Sequence, residues 1–232
     1  TRIESSAASD VYKRQIRYRT AGEETFDKST GWLFDAMGAA FDQNTARLAV
    51  VGEDPMLLSG QNVDYIGRAN QAVSKASSPV RERITRFDVN WNIIAWPGTQ
   101  WAKRVFPNLE EGEAQKQLAK AIFQASRLEG KDPIENWNLH NNNLRERTNW
   151  LNEKNFNALH FYGGGTDLKV GLAVGHEWMG GASKARNGIT CNPNIPSEEV
   201  FTTPHALKVD GHVKSTKPCL LYTSDAADDS IR

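Results

Sequence analysis

Cysteine is scarce in this 232-residue chain, and neither sign of charge is in excess. Cys191 is the only cysteine outside a terminal segment that is set aside below, so no disulfide is expected within the rest, and a reducing, cytoplasmic setting is favoured. Lysine and arginine number 28, as do aspartate and glutamate, which argues against a nucleic-acid or anionic-membrane partner. No apolar run is long enough to span a bilayer. The hydrophobic content of 39% is enough for a packed core.

The two ends of the sequence are related as DNA rather than as protein. A single DNA string can encode residues 5–15, and its reverse complement, read in a shifted frame, can encode residues 219–229. A transposase-type sequencing adapter translated at both ends would produce this relation. We therefore expect residues 1–15 and 219–232 to be non-native flanks, and we exclude them from reasoning about the fold.

The first part of the remaining sequence alternates helix-like and strand-like patterns. Apolar residues recur at helical spacing in Thr30–Phe41 and in Asp64–Ala76. Arg47–Val51 predicts a buried strand, and Phe87–Ala95 predicts a second strand that stops at Trp96-Pro97-Gly98. Strand, helix and strand in this order predict a crossover unit with a parallel sheet.

A pair of helices is expected next. Asn108 stands three residues before Glu111, which predicts a capping box at the start of the first helix. At the second start, Asp132 is the predicted N-cap and Pro133 the first helical residue. We assign residues 16–153 to a truncated α/β domain with a parallel, helix-flanked sheet that ends with this pair.

After this pair the pattern changes to short β segments. Phe156–Tyr162 and Leu168–Leu172 flank Gly163–Asp167, which is typical of a hairpin loop. A phosphate-binding loop is disfavoured there, because β residues rather than a helix follow. Asp210-Gly211 predicts a second hairpin turn. Residues 154–218 are expected to begin an α+β domain.

Candidate chemistry concentrates between Asn192 and His205. This segment holds the adjacent Glu198 and Glu199, framed by prolines that prevent a long regular helix or a central strand. A stiff, irregular segment with two carboxylates and a histidine suits a metal site or an acid–base site. Composition alone favours an ordinary surface loop with a solvated acidic pair. A single pair of glutamates cannot complete a metal site.

Other residues that could carry chemistry have simpler interpretations. His140 and His160 are expected at interfaces or in the core, and His212 at the surface. His176 lacks the second histidine of a helical zinc motif. The tryptophans could stack on sugars, but most are expected to pack in the core: Trp91, Trp96, Trp101, Trp137, Trp150 and Trp178.

Several motifs follow one another in an order that is more specific than any one of them. They are Trp101–Pro107, Asn152–Phe156, Gly165–Leu168, Val170–Leu172, Trp178–Gly181, Pro196–Thr202 with Pro204-His205, and Ser215–Pro218. Together they resemble the thermophilic metallo-aminopeptidases, metallopeptidase family twenty-nine. The resemblance covers almost all of residues 16–218.

This resemblance implies an aminopeptidase that uses two divalent metal ions (zinc, cobalt, manganese or magnesium) to remove residues from peptides with a free N-terminus. It also implies an N-terminal α/β domain, a C-terminal α+β metal-binding domain and a homodimer. Glu199 matches a metal ligand of the family. Glu198 and His205 are candidates for orienting that ligand without contacting the metal themselves. The catalytic residues are expected downstream of Pro218. The chain is then expected to be an inactive fragment of the complete enzyme.

Two alternatives remain open at this stage. One is a non-enzymatic α/β binding or assembly module, and the weaker one is a sugar-binding module that uses the tryptophans. The continuation of the gene distinguishes the enzyme from a module. Histidine and carboxylate ligands beyond Pro218 favour the enzyme, and their absence favours a module.

Overall fold

The computed structural model describes residues 14–214 and shows a mixed α/β structure. After helical turns at residues 14–20 and Glu23–Thr25, the helices are α1 (Gly31–Asp42), α2 (Val63–Thr85), α3 (Thr99–Val105), α4 (Glu111–Ala125) and α5 (Pro133–Lys154). The longer strands are β1 (Arg47–Val51), β2 (Trp91–Ala95), β3 (Ala158–Gly163), β4 (Thr166–Leu172) and β10 (Pro204–His212). Between the last two lie the two-residue strands β5 (Met179–Gly180), β6 (Ser183–Lys184), β7 (Thr190–Cys191), β8 (Asn194–Ile195) and β9 (Val200–Phe201).

The described residues group into two compact units. The first comprises residues 14–122 and 184–191, and the second comprises residues 123–183 and 192–214. The domain limits expected from the sequence, near residue 153, stay a prediction, as do the limits of the two flanks. Over residues 14–214, none of the helices is both long and apolar enough to cross a bilayer.

The first unit contains the parallel strand pair that the sequence predicts. Strands β1 and β2 pair in parallel, from Arg47 opposite Trp91 to Val51 opposite Ala95, and α2 connects them. The loops that follow the two strands approach each other closely. A Cβ added to Gly98 would lie 1.9 Å from the Gly52 carbonyl oxygen, so this approach requires glycine.

Strand β1 is less buried than the sequence predicts. Leu48, Val50 and Val51 are 61%, 55% and 53% exposed. The strand lies at the edge of its sheet, where fewer neighbours cover the side chains. An apolar run indicates a strand, but it does not show whether the strand will lie at the edge or in the centre of a sheet.

Helix α2 also differs from its prediction, because it continues past Ala76 to Thr85 and includes Pro79. The Ser77-Ser78-Pro79 step would locally favour an end to the helix. In the fold, Val80 belongs to a core cluster with Phe41 of α1 and with Val89. Tertiary packing thus overrides the local preference.

Helix α4 begins at Glu111, and the capping box predicted at Asn108 is not formed. The Glu110 carbonyl oxygen accepts the first helical bond from the Ala114 amide at 2.8 Å, which places the cap two residues later. The short helix α3 was not predicted. Its Ala102 packs with Ala114 and Leu118 of α4 in a second core cluster.

In the second unit, the start of α5 is as predicted. The Asp132 carboxylate accepts from the amides of Ile134 and Glu135, each at 3.0 Å, and Pro133 opens the helix. Strands β3 and β4 form the predicted hairpin, with Gly163 opposite Thr166. Gly164 and Gly165 between them have φ angles of 54° and 90°, which suits a two-residue turn.

The prediction of a second hairpin turn at Asp210-Gly211 is wrong. Both residues lie inside the single strand β10, which pairs with β4 so that Gly211 is opposite Leu168. A Cβ on Gly211 would lie 2.0 Å from the Asp167 carbonyl oxygen, and the residue has a φ of 116°. The glycine therefore permits a close approach of two strands rather than a turn.

The close approach predicts that Gly211→Ala destabilises the protein by more than Gly163→Ala. The two residues have similar φ angles of 116° and 122°, a conformation that costs an alanine about 1–3 kcal/mol, but a Cβ on Gly163 would meet nothing within 4 Å. The difference in the free energy of unfolding, measured by urea denaturation, isolates the collision with β4. Equal losses for the two variants would contradict the close approach.

Candidate functional site

The segment that carries the candidate residues is irregular and is tied into short strands. The two glutamates stand between β8 and β9, after a cis Ile195–Pro196 peptide bond. Ser197 is buried, whereas Glu198 and Glu199 are exposed. The predicted irregular segment is present, and it leaves both glutamates accessible to solvent.

Glu198 forms a two-pronged ion pair with Arg127, a residue 71 positions away that follows the end of α4. Arg127 Nη2 donates to Glu198 Oε2 at 2.8 Å, and Nη1 donates to Oε1. This hydrogen bonding holds the pKa of Glu198 below its usual range and raises the pKa of Arg127. The Glu198 side chain is 61% exposed, so water screens the attraction and the main effect of the pair is geometric.

His140 of α5 holds the residue before Glu198. Its Nε2 lies 2.6 Å from the Ser197 carbonyl oxygen, a distance at which an N–H at that position donates to the carbonyl. The same nitrogen is 3.9 Å from Glu198 Oε2. The side chain is only 11% exposed, as the sequence predicts, but its contact with the acidic segment was not predicted.

Glu199 is held on both sides while its own carboxylate stays near the surface. Its Oε2 accepts from the Glu198 amide at 3.1 Å. The next residue, Val200, begins β9 and pairs with Gly180 of β5. A Cβ on Gly180 would lie 2.9 Å from the Glu199 carbonyl oxygen, so the backbone of Glu199 is closely packed against β5.

His205 does not join the two glutamates in a compact cluster. It is half-buried at the start of β10, and its Nδ1 accepts from the Leu207 amide at 3.2 Å. Among residues 14–214, no three His, Cys, Asp or Glu side chains come together in a way that could hold a metal ion. The roles expected for Glu198, Glu199 and His205 stay predictions.

Polar side chains of α5 hold the loop that contains β5. Asn152 exchanges two hydrogen bonds with the backbone of Trp178, accepting from its amide at 2.7 Å and donating to its carbonyl at 3.1 Å. Asn141 accepts from the Ala182 amide at 3.0 Å and pairs with the Asn192 amide group. The helix therefore fixes the strand against which Val200 pairs.

Arg127 and His140 are the two contact residues that sequence reasoning missed. Each lies far along the chain from its partner, by 71 and 57 positions, and no local motif marks such a pairing. The only hint is the charged connection between two predicted helices in which Arg127 falls. Both residues line an open depression of about 350 Å³ together with Asn136, Leu139 and Asn143.

The other histidines have ordinary roles. His160 was expected at an interface or in the core; its side chain is 45% exposed, and its Nε2 lies 2.7 Å from Asp167 Oδ1. The hydrogen bond from His160 lowers the pKa of Asp167. His176 Nδ1 lies 2.8 Å from the Ala173 carbonyl oxygen. His212 is exposed as expected.

The tryptophans divide between core and surface. Trp178 is buried, as the sequence predicts, with 9% exposure. Core packing is the wrong prediction for Trp96 and Trp150, which are 61% and 52% exposed. Cys191 is a free thiol, and its Sγ contacts the Trp91 carbonyl oxygen at 3.4 Å.

A family model described as thermophilic metalloprotease (M29) matches residues 4–227 of the chain. Aminopeptidase T of Thermus thermophilus is 48% identical over 205 residues, which cover 88% of this chain and 50% of that protein. Aminopeptidase 2 of Geobacillus stearothermophilus is 36% identical over 213 residues, which cover 92% of this chain and 51% of that protein.

A solved structure, wild-type AmpT from Thermus thermophilus, has a similar fold. It superposes with a TM-score of 0.81 at 46% sequence identity, covering 90% of this chain and 51% of the other. The chain spans about half the length of the curated relatives that it matches.

The pairing of Asn152 with Trp178 predicts that Asn152→Ala destabilises the second unit. Removing the amide leaves both the N–H and the carbonyl of a buried residue without these partners, at a cost of about 1–3 kcal/mol. Asn149→Ala, an exposed position on the same helix, is the matched control and should change little. The free energy of unfolding, followed by tryptophan fluorescence, measures both, and equal effects would show that the pair does not hold the loop.

Proposed function

The chain belongs to the thermophilic metalloprotease family M29, and we propose that it is part of a metal-dependent aminopeptidase that removes N-terminal residues from peptides. The observation that carries this proposal is the match of 48% identity, over 88% of the chain, to a protein named aminopeptidase T. The placement of Glu199 supports it, because an accessible carboxylate on a closely held backbone is suited to bind a cation.

Glu199 fits the role of one metal donor, but the described residues do not supply the rest of a site. Its carboxylate offers hard oxygen atoms of the kind that divalent cations bind. No three potential donor side chains come together over residues 14–214. We therefore propose that the remaining donors and the catalytic residues come from a part of the protein beyond Pro218.

Two bound divalent cations would supply a water of lowered pKa and a polarised substrate carbonyl. The residues of this chain have a more limited task. Glu199 offers a carboxylate oxygen, and its own Oε2 is oriented by the Glu198 amide. The carboxylate of Glu198 is paired with Arg127. We therefore propose that Glu198 helps to orient Glu199 and does not bind the metal itself. His205 is the second candidate for such a supporting role.

Family membership is also the basis for proposals about the substrate and the assembly. We propose that the complete protein acts on peptides with a free N-terminus, forms a homodimer and works in the cytoplasm. The metal, whether zinc, cobalt, manganese or magnesium, is proposed only as a divalent ion. Sedimentation of the complete protein tests the dimer, and a monomer at micromolar concentration would contradict it.

The proposed division of the site predicts that the purified 232-residue chain does not hydrolyse an aminoacyl-nitroanilide. A single carboxylate cannot hold two cations, whereas the product of the complete gene should hydrolyse the same substrate and lose that activity in a chelator. Chelator-sensitive hydrolysis by the chain alone would contradict the division of the site. A complete product with no hydrolysis and no metal ligands beyond Pro218 would favour the binding or assembly module.

Another prediction concerns Glu199 within the complete protein. Glu199→Gln removes the charge of a proposed donor and should lower kcat by at least about 100-fold, together with metal affinity. Glu153→Gln, at an exposed position of α5, is the control and should leave both unchanged. Titration with Mn²⁺ and steady-state kinetics measure the two effects. Normal metal affinity in Glu199→Gln would remove Glu199 from the site.

A further inference from the structure

Glu199 is fixed from both sides by contacts that belong to different elements. On its N-terminal side, the Ser197 carbonyl oxygen lies 2.6 Å from His140 Nε2, and Glu198 is bound by Arg127. On its C-terminal side, Val200 pairs with Gly180. The β pairing of Val200 fixes the backbone on the C-terminal side of Glu199. The contacts of Ser197 and Glu198 fix the backbone on its N-terminal side.

Arg127 is itself held in an uncommon backbone conformation. Its φ of 57° lies in the left-handed region, which is unfavourable for a residue with a Cβ. Two side chains of α5 hold the backbone there. Asn136 Nδ2 donates to the Arg127 carbonyl oxygen at 3.3 Å, and Trp137 Nε1 donates to the Ser126 carbonyl oxygen at 2.9 Å. The backbone from which the Arg127 guanidinium extends is therefore held in place by α5.

The form of the pair determines what it can do. The two terminal nitrogens of the guanidinium, Nη1 and Nη2, meet the two oxygens of the carboxylate, and this planar fork fixes the orientation of Glu198 as well as its distance. An ion pair as exposed as this one adds little to global stability. Its local effect is larger, because the Glu198 amide is the group that donates to Glu199 Oε2.

We infer that Arg127 is a positioning residue for Glu199, which it orients by clamping the carboxylate of Glu198 so that the Glu198 amide meets Glu199 Oε2. The inference rests on the proposed function only in what Glu199 is oriented for. The clamp itself is a property of this chain and can be measured without metal or substrate.

The test is a double-mutant cycle read by local hydrogen exchange in the 232-residue chain. Arg127→Gln and Glu198→Gln should each raise amide exchange in the peptide spanning residues 197–201 by about five-fold, the upper range for an exposed ion pair. The double variant should exchange no faster than either single variant, because both remove the same contact. The Glu198 amide resonance should shift in Arg127→Gln.

Two further variants separate the fork from simple charge. Arg127→Lys keeps the charge but cannot form the fork, so exchange should stay raised. The charge-swapped Arg127→Glu with Glu198→Arg should restore part of the protection. Arg68→Gln is the matched control, because Arg68 makes an equally two-pronged pair with Asp27 in the other compact unit. Arg68→Gln should leave the amide exchange of residues 197–201 unchanged.

The outcomes divide clearly. Additive effects in the double variant, full protection in Arg127→Gln, or the same change in Arg68→Gln would overturn the inference. In the complete protein, Arg127→Gln should lower kcat and leave the KM for a peptide substrate within about two-fold. If the exchange results hold but the complete protein shows no metal-dependent hydrolysis, the clamp stands and the proposed function fails. If the complete protein shows metal-dependent hydrolysis but Arg127→Gln does not change exchange, the clamp fails and the proposed function stands.

Discussion

Hydrogen bonds from the side chains of α5 to irregular backbone are the constraint on which the candidate site depends. Loops without regular structure leave amides and carbonyls unpaired, and burying such groups without partners is costly. His140 meets the Ser197 carbonyl, Asn141 meets the Ala182 amide, and Asn152 meets both backbone groups of Trp178. One rigid helix thus gives the loops a fixed frame, although they have little secondary structure of their own.

This arrangement explains why a helix with a mostly polar sequence is stable in the fold. Leu144 and Thr148 are buried on one face, while Ile134 is 74% exposed. Part of the contact surface of α5 is polar instead. Three of its asparagines and His140 form hydrogen bonds with backbone groups of the loops: Asn136, Asn141 and Asn152. Polar residues on a helix therefore indicate a loop-bearing face as readily as a solvated one.

The electrostatics of the acidic segment separate two adjacent glutamates. The carboxylate of Glu198 is neutralised by Arg127, and its pKa is lowered by that hydrogen bond. The Glu199 carboxylate instead accepts a hydrogen bond from the neighbouring Glu198 amide. Two adjacent side chains of the same chemistry thus have different surroundings, since Glu198 is tied into an ion pair and Glu199 is left accessible to solvent.

The sequence by itself determined the features that depend on near neighbours. Asp132 and Pro133 specify the start of α5, the glycines at 163–165 specify the hairpin of β3 and β4, and the ordered motifs identify the family. Only the tertiary structure decided the pairing of Arg127 with Glu198 and the role of Gly211. The reason is physical: partners 71 positions apart leave no periodic or local pattern, and the same Asp-Gly step suits a turn or a close strand approach until the neighbouring strand is in place.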